Sequence, residues 1–506
     1  MSIPQVPNYI NGKFQPSSTT NYMPVISPST GATTSLTPQN STHDEIHTAV
    51  SSASSAFQTW STTPLPRRLQ YLFQLRQAIL DHMSPLQEII RTELGKTPLD
   101  ARGDIIRGLE VVEFACGAAQ QMAGRALPNF GTGNLDAMQF REPLGVVANI
   151  CPFNFPAMIP LWMFPLAIAC GNTVVLKPSE LVPGAMNVLA QICHDIKLPP
   201  GVLNVVQGGK ETVETLIQHK DVKALSFVGS TPVGTDIYLN ATRNGKRAQC
   251  NLGAKNHAVV MPDCDPELAT NSIVGAAFGA SGQRCMALSV AILVGDTKNV
   301  ILDSLISKAK QIKVGMGEDA DMGPIVTKKS KLRIENILNH VEKQGGVLAL
   351  NGMKNDQLKS LPVGGNWMGP TIVSKVQPNM QVYQEEVFGP VLSVMSVDTL
   401  EDAIQIINAN PYGNGTAIFT SSGSHARYFQ HHVDAGQVGI NVPIPLGPPS
   451  LSFTGSRGSI LGDLPFYGQY GVDFLTRPKN VISRWPDLKS TPNASKISMV
   501  IPSTSG

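Results

Sequence analysis

The chain has 506 residues, 42% of them hydrophobic and only 15% charged. That balance excludes a disordered or coiled-coil chain, and at roughly 150 residues per domain the length suggests about three domains. Lys and Arg number 39 against 37 Asp and Glu, a net charge of +2, so no basic field points to nucleic acid or to an anionic membrane surface.

In chain order, residues 1–42 carry one charge, Lys13, and have neither the basic start and apolar run of a signal peptide nor the arginines of a transit peptide; we expect a cytoplasmic protein. Residues 45–93 hold helical patterns broken at Pro64, Pro66 and Pro85. Residues 101–124 hold another, with Ile105, Ile106, Leu109, Val112 and Phe114 at mixed helical spacing. Residues 143–176 contain no charge and are long enough to span a bilayer. Pro143, Pro152, Pro156, Pro160 and Pro165 interrupt them, with Asn149, Asn154 and Asn172 between. The segment therefore reads as strand, loop, buried helix and strand, each too short to span, and no membrane association is expected.

Apolar runs at 145–150, 173–176, 202–206, 224–228 and 258–261 read as short buried strands. Helical stretches at 157–170, 183–196, 211–218 and 232–241 separate most of them. This alternation is what a parallel sheet with crossover helices requires, and it makes the chain α/β. A second alternation follows Cys285, with strands at 288–294, 391–396, 416–420 and 437–442 and helices at 300–312, 329–344, 400–409 and 424–432. Two α/β units thus stand in tandem with 251–255 between them, 313–380 is loop-rich, and the tail from Lys479 is polar.

Seven cysteines, an odd number with no Cys-x-x-Cys pair, argue for a reducing compartment and against a disulfide framework or a zinc ribbon. Cys285 ends a glycine-rich approach, Phe278-Gly-Ala-Ser-Gly-Gln-Arg-Cys285, that can leave a thiol accessible; Arg284 beside it could lower the thiol pKa. A buried hydrophobe is the other reading of any cysteine. Gly229-Ser-Thr-Pro-Val-Gly234 follows a strand and opens a helix, which suits a phosphate or makes an ordinary joint. Lys177-Pro-Ser-Glu180 closes a strand where open parallel sheets bind ligands; its carboxylate suits ribose hydroxyls and repels a 2′-phosphate, or it is a solvated turn. The histidines form no ligand cluster, and no metal is expected.

Taken together these residues resemble the aldehyde dehydrogenase superfamily. The matching motifs are Pro152-Phe-Asn-Phe-Pro156, Val175-Leu-Lys-Pro-Ser-Glu180, Phe227-Val-Gly-Ser230, Gly282-Gln-Arg-Cys285, Glu385-Glu-Val-Phe-Gly-Pro390 and Asn410-Pro-Tyr-Gly413. Within it the chain is most similar to the CoA-acylating methylmalonate-semialdehyde dehydrogenases, through Phe155-Pro-Ala-Met-Ile-Pro-Leu-Trp-Met-Phe-Pro165, Gly253-Ala-Lys-Asn-His257, Gln283-Arg-Cys-Met-Ala-Leu288 and Phe453-Thr-Gly-Ser-Arg457. The resemblance implies an NAD-binding domain over 1–122 and 143–254 and a catalytic domain over 255–471. It implies bridging and oligomerisation segments over 123–142 and 472–490, a tail over 491–506, and a homo-oligomer, usually a tetramer.

It also implies roles. Cys285 is the nucleophile, and the Asn154 amide with the Cys285 backbone N–H holds the oxyanion. Lys177 and Glu180 bind the adenosine ribose of NAD. Cys151, Phe153, Leu181, Ser230 and Leu252 lie along the dinucleotide, Glu386 holds the nicotinamide ribose and Phe388 packs nearby. Arg107 and Arg284 take the carboxylate of a small semialdehyde, although Arg107 also reads as a helix-surface residue. Where hydrolytic relatives commonly have Glu-Leu-Gly-Gly-Lys, this chain has Asn251-Leu-Gly-Ala-Lys255. An amide cannot take a proton from water, whereas a thiol of pKa ~8.5 needs less help. CoA as the acyl acceptor therefore fits better than hydrolysis to a free acid.

Overall fold

Short runs in which every side chain is buried, such as Val146–Ile150, Thr173–Lys177 and Asn256–Val260, form strands covered on both faces. The computed structural model describes residues 3–131 and 134–485. The strands assemble into two large sheets. In the first, Leu203–Val205, Thr173–Lys177, Val146–Ile150, Val222–Val228 and Arg247–Asn251 lie side by side and parallel, and short antiparallel strands close both edges. In the second, Thr371–Ser374, Val391–Val397, Leu288–Val294, Asn256–Val260, Gly415–Phe419 and Gln437–Ile440 are parallel, with Val347–Leu350 antiparallel at one edge. A smaller antiparallel sheet joins Arg125–Gly131, Leu135–Pro143 and Thr476–Arg484. The 491–506 tail, and 486–490 of the second bridging segment, lie outside the described residues.

The uncharged stretch becomes a strand, the helix Met158–Ala169 and a second strand; every residue of that helix is buried. Among the described residues no helix is long and apolar enough to cross a membrane. The helix is sheltered by Pro98–Cys116, which approaches closely at Gly108, where a Cβ would lie 2.8 Å from Leu161 Cδ1 and 3.0 Å from Met158 Cα. A buried ion pair, Lys96 Nζ to Asp104 Oδ2 at 2.8 Å, is part of the same contact. Asp104 Oδ1 accepts from the Met158 N–H at 2.7 Å, and Lys96 lies 3.9 Å over the Phe155 ring. The segment carrying Asn154 is thus held by charge as well as by packing.

Several elements depart from the expectations. Arg247–Asn251 is a full strand of the first sheet although its sequence, RAQCN, has no apolar run; it exists because it pairs with Val222–Val228 over its whole length. Residues 313–380 are less irregular than expected, since Val347–Leu350 and Thr371–Ser374 extend the second sheet. Two N-terminal hairpins, Asn8–Ile10 with Lys13–Gln15 and Tyr22–Ile26 with Thr33–Pro38, had no counterpart in the sequence reading. Ile460–Leu461, within the segment assigned to catalysis, pairs instead with Cys250 and Asn251 at the edge of the first sheet.

Candidate active site

In the first sheet the chain runs from Val146–Ile150 to one side and from Val222–Val228 to the other, so these neighbours form a topological switch point. A crevice opens there at the carboxyl ends of the strands, the usual ligand site of open α/β sheets. Cys151, Phe153 and Asn154 leave one side of it and Ser230 the other. Lys177 ends the next strand, where its Nζ donates to Gly208 O at 2.9 Å and meets Glu180 Oε2 at 3.2 Å. Leu181 follows in the same turn, its N–H on Ser179 Oγ. Ser230 opens the helix Thr231–Arg243 without making a side-chain cap, which leaves first-turn N–H groups for an anion. Leu252, buried, packs beneath that helix at Gly234, where a Cβ would come within 2.1 Å of Leu252 Cδ2. The rings of Phe153 and Phe388 meet edge to face, 5.8 Å apart, across the mouth.

Cys285 is presented by an unusual turn. Ala280, Ser281 and Gly282 have φ of 50°, 57° and 68°, three left-handed residues in a row; the two that are not glycine each cost about 1–2 kcal/mol. Gly282 is obligatory, because a Cβ there would lie 2.0 Å from Gly389 O. Past the turn, the Gln283 carbonyl accepts from Asn154 Nδ2 at 3.0 Å. The Cys285 carbonyl accepts from Asn256 Nδ2 at 2.8 Å and Asn414 Nδ2 at 3.0 Å. Asn154 thereby spends one N–H of its amide on the turn. Sequence reasoning missed Asn256 and Asn414; the only signal was Asn256 inside the Gly253–His257 motif.

Cys285, Arg284, Glu386 and Phe388 line one cavity between the sheets, with Ala254 and Asn256. Burial pushes the Cys285 thiol up to about 12, and the Glu386 carboxylate adds to the rise. Arg284 lowers the thiol pKa, in the direction the sequence suggested, but burial outweighs that pull. The Arg284 guanidinium is occupied by Asp100. Burial likewise raises Glu386 to about 7 and lowers Lys255 to about 7. Glu386 Oε1 accepts from Ala254 N at 3.1 Å, while Lys255 Nζ donates to Val382 O and Glu385 O, both at 2.7 Å. The turn bearing Glu386 is thus stapled to the end of the first sheet.

Arg107 is part-buried on the helix Pro98–Cys116, with Nη1 2.7 Å from Glu110 Oε2 and Nη2 3.4 Å from Gly447 O. It does not line the Cys285 cavity. Tyr467, buried edge to face against Trp162, lies within the electrostatic reach of both Arg107 and Cys285, and burial raises its phenol. No sequence signal marked that tyrosine. Asn251 is buried, and its Oδ1 has no donor among the described residues.

A thiol on a strained turn, an amide beside it and the carboxyl ends of strands at a switch point come together in one candidate site of a dehydrogenase. Residues 14–481 match the model of the aldehyde dehydrogenase family, and the chain belongs to that family. It is 47% identical over 488 residues, 96% of this chain and 90% of the other, to the Bos taurus protein named methylmalonate-semialdehyde/malonate-semialdehyde dehydrogenase [acylating], mitochondrial. An Arabidopsis thaliana methylmalonate-semialdehyde dehydrogenase [acylating], mitochondrial, is 48% identical over 490 residues, 96% of this chain and 80% of that one. Among solved structures, the methylmalonate-semialdehyde dehydrogenase of Oceanimonas doudoroffii superposes with a TM-score of 0.93 at 42% identity, covering 96% of this chain and 99% of the other. A Sinorhizobium meliloti structure in complex with NAD gives 0.93 at 39%, with the same coverage.

Proposed function

We propose that this chain oxidises methylmalonate semialdehyde, or malonate semialdehyde, to propionyl-CoA or acetyl-CoA with loss of CO2 and formation of NADH. What carries the reading is Asn251, a buried amide at the position where the motif of hydrolytic relatives has its glutamate. The names of the relatives support it.

The crevice fits NAD: the Thr231–Arg243 helix start suits the pyrophosphate, Lys177 and Glu180 the adenosine ribose, and Glu386 the nicotinamide ribose. Cys151, Phe153, Leu181, Ser230, Leu252 and Phe388 line its path. NAD, when bound, supplies the hydride acceptor. Cys285 gives its proton to solvent and attacks the aldehyde carbon as a thiolate, the minority form of a buried thiol, and the Asn154 N–H with the Cys285 backbone N–H holds the oxyanion; one such donor contributes about 3–4 kcal/mol. Loss of hydride leaves a thioester on Cys285. The CoA sulfur then attacks that carbonyl and the Cys285 thiolate departs. The carboxylate β to the thioester carbonyl leaves as CO2, because the resulting enolate is stabilised, and a proton takes its place. We assign that carboxylate to Arg107 first, through paired hydrogen bonds. Arg284 contributes through the N–H groups that Asp100 leaves free.

The test is a steady-state assay of several semialdehydes with NAD, with and without CoA, identifying the product. Acyl-CoA formed only with CoA is expected; equal turnover to the free acid without it sinks the proposal.

A pH dependence follows from Glu386. An ionised carboxylate accepts from ribose hydroxyls and a protonated one does so poorly. With a folded value of about 7, NAD affinity is complete above that pH and weakens as the pH falls through it, by up to about tenfold per unit. Lys255 and Arg333 face the same carboxylate, so the control is Glu386→Gln, which should flatten the profile of NAD dissociation constants from pH 8 to pH 6. A slope that survives in the variant assigns the effect to Lys255.

We further propose a homo-oligomer, a tetramer, formed through the three-stranded sheet, whose exposed Leu127, Phe140 and Ile482, with Trp485 just past its last strand, support an interface. The seven free cysteines fit a reducing compartment; the cytoplasm is one, and the relatives named above are mitochondrial.

A further inference from the structure

The turn that carries the nucleophile is strained, and something must hold it. Ser281 Oγ donates to Gly323 O at 2.6 Å, and Gln283 Oε1 accepts from Val326 N at 3.0 Å. These ties use uncharged groups and grip the middle of the turn. The two ends are gripped by a single side chain from a distant helix. Asp100 Oδ2 accepts from the Ala280 N–H at 2.9 Å, and its Oδ1 takes an N–H of the Arg284 guanidinium. Ala280 is the first left-handed residue and Arg284 precedes the thiol residue, so one carboxylate spans the whole bend.

Asp100 is itself fixed. It lies in the first turn of Pro98–Cys116, where its N–H donates to the cap Thr97 Oγ1 at 3.4 Å. Its side chain is 14% exposed and that of Arg284 23%, so water competes weakly for the pair. Lys96, buried with Asp104, lies close enough to feel both Asp100 and Arg284. Two positive and two negative groups thus form one neutral cluster under the thiol turn. Gly279, just before the turn, has no room for a Cβ, which would lie 2.7 Å from the Arg284 guanidinium. On its outer side the cluster faces a surface groove lined by Asp100, Phe278, Gly279, Arg284 and Lys308. A guanidinium released by Asp100 has that groove to move into, and the turn would relax with it.

We propose that Asp100 is a positioning residue for Cys285: by bracing Ala280 and Arg284 it holds the strained turn in the one geometry that aims the thiol at the aldehyde carbon. It touches neither substrate nor cofactor. The inference rests on Cys285 being the nucleophile and on no particular aldehyde. A displacement of the nucleophile by about 1 Å can cost around a hundredfold in rate.

The experiment compares wild type with Asp100→Ala, Asp100→Asn and Asp100→Glu, on propanal and on a carboxylated semialdehyde, at saturating NAD and CoA. Active sites are counted from the pre-steady-state NADH burst, so that unfolded enzyme is not scored as slow enzyme. For Asp100→Ala we expect kcat per active site to fall about 10- to 100-fold on both aldehydes, with the KM for propanal within about threefold of wild type; the KM for the semialdehyde moves further, because Arg284 is freed. The rate of Cys285 alkylation by iodoacetamide should change as well, since it reads the thiol environment directly. Asp100→Asn keeps an oxygen for Ala280 but loses the charge and should fall between Ala and wild type; Asp100→Glu should recover part of the loss. Three results overturn the proposal: a normal kcat per burst-counted site with only a lowered Tm, an effect confined to KM of the carboxylated aldehyde, or an unchanged alkylation rate. If Cys285→Ala retains activity, it is the nucleophile assignment that fails, not the brace.

Discussion

Cys285→Ala abolishes NADH formation from every aldehyde, a loss of at least about a thousandfold, while leaving the fold intact. The fold survives because the turn is held by the backbone of Cys285 and by its neighbours: Asn256 and Asn414 grip its carbonyl, not its sulfur. No other thiol can replace it. Cys151, Cys170, Cys193 and Cys250 are buried and lie outside the cavity that Cys285 lines. Cys116 and Cys264 are partly exposed but lie outside the cavity with Glu386 and Phe388. The measurement is NADH absorbance beside a thermal melt. Residual turnover above a few per cent, with Tm unchanged, removes Cys285 from its role.

The second large effect is a gain. Asn251→Glu should let the enzyme turn over without CoA, releasing free acid at a rate about 10²–10⁴ above the CoA-free wild type. Asn251 ends its strand directly beside Val228, and its backbone carbonyl is fixed by Gly229 N at 3.1 Å. The amide is already desolvated and its oxygen has no donor among the described residues, so a carboxylate placed there is poised to take a proton from water. Burial will raise its pKa, and the gain should grow as the pH rises through that value. Product analysis without a thiol acceptor decides the matter. If the variant forms no more acid than wild type, the choice of acceptor is set elsewhere.

The alternation of apolar runs exposed both sheets in the sequence because buried parallel strands are apolar on both faces. Where that condition fails, so did the reading: Arg247–Asn251 is a strand through pairing, not composition. The thiol and its neighbouring amide were legible because glycine-rich turns and short motifs are local. The groups that orient them were not. Asn414 reaches the Cys285 carbonyl across 129 residues of chain, and Asp100 reaches Arg284 across 184. Nothing in a window of sequence ties such partners together: the sequence shows Arg284 beside the thiol, whose pKa it does lower, but not the carboxylate that holds it nor the burial that outweighs it.

The return of Ile460–Leu461 to the edge of the first sheet bears on how the molecule is made. Ser459 Oγ contacts Gly253 O across 206 residues, and Gln139 bonds Asn480 across 341. During synthesis the first sheet therefore waits, with one margin uncovered, until Ile460–Leu461 have left the ribosome. Unpaired margins of that kind invite association with other nascent chains. Truncation ahead of Ser459, which takes Ile460–Leu461 with it, would strand the amino-terminal half as well as the carboxyl-terminal one, and the protein should resist division into separately expressed pieces.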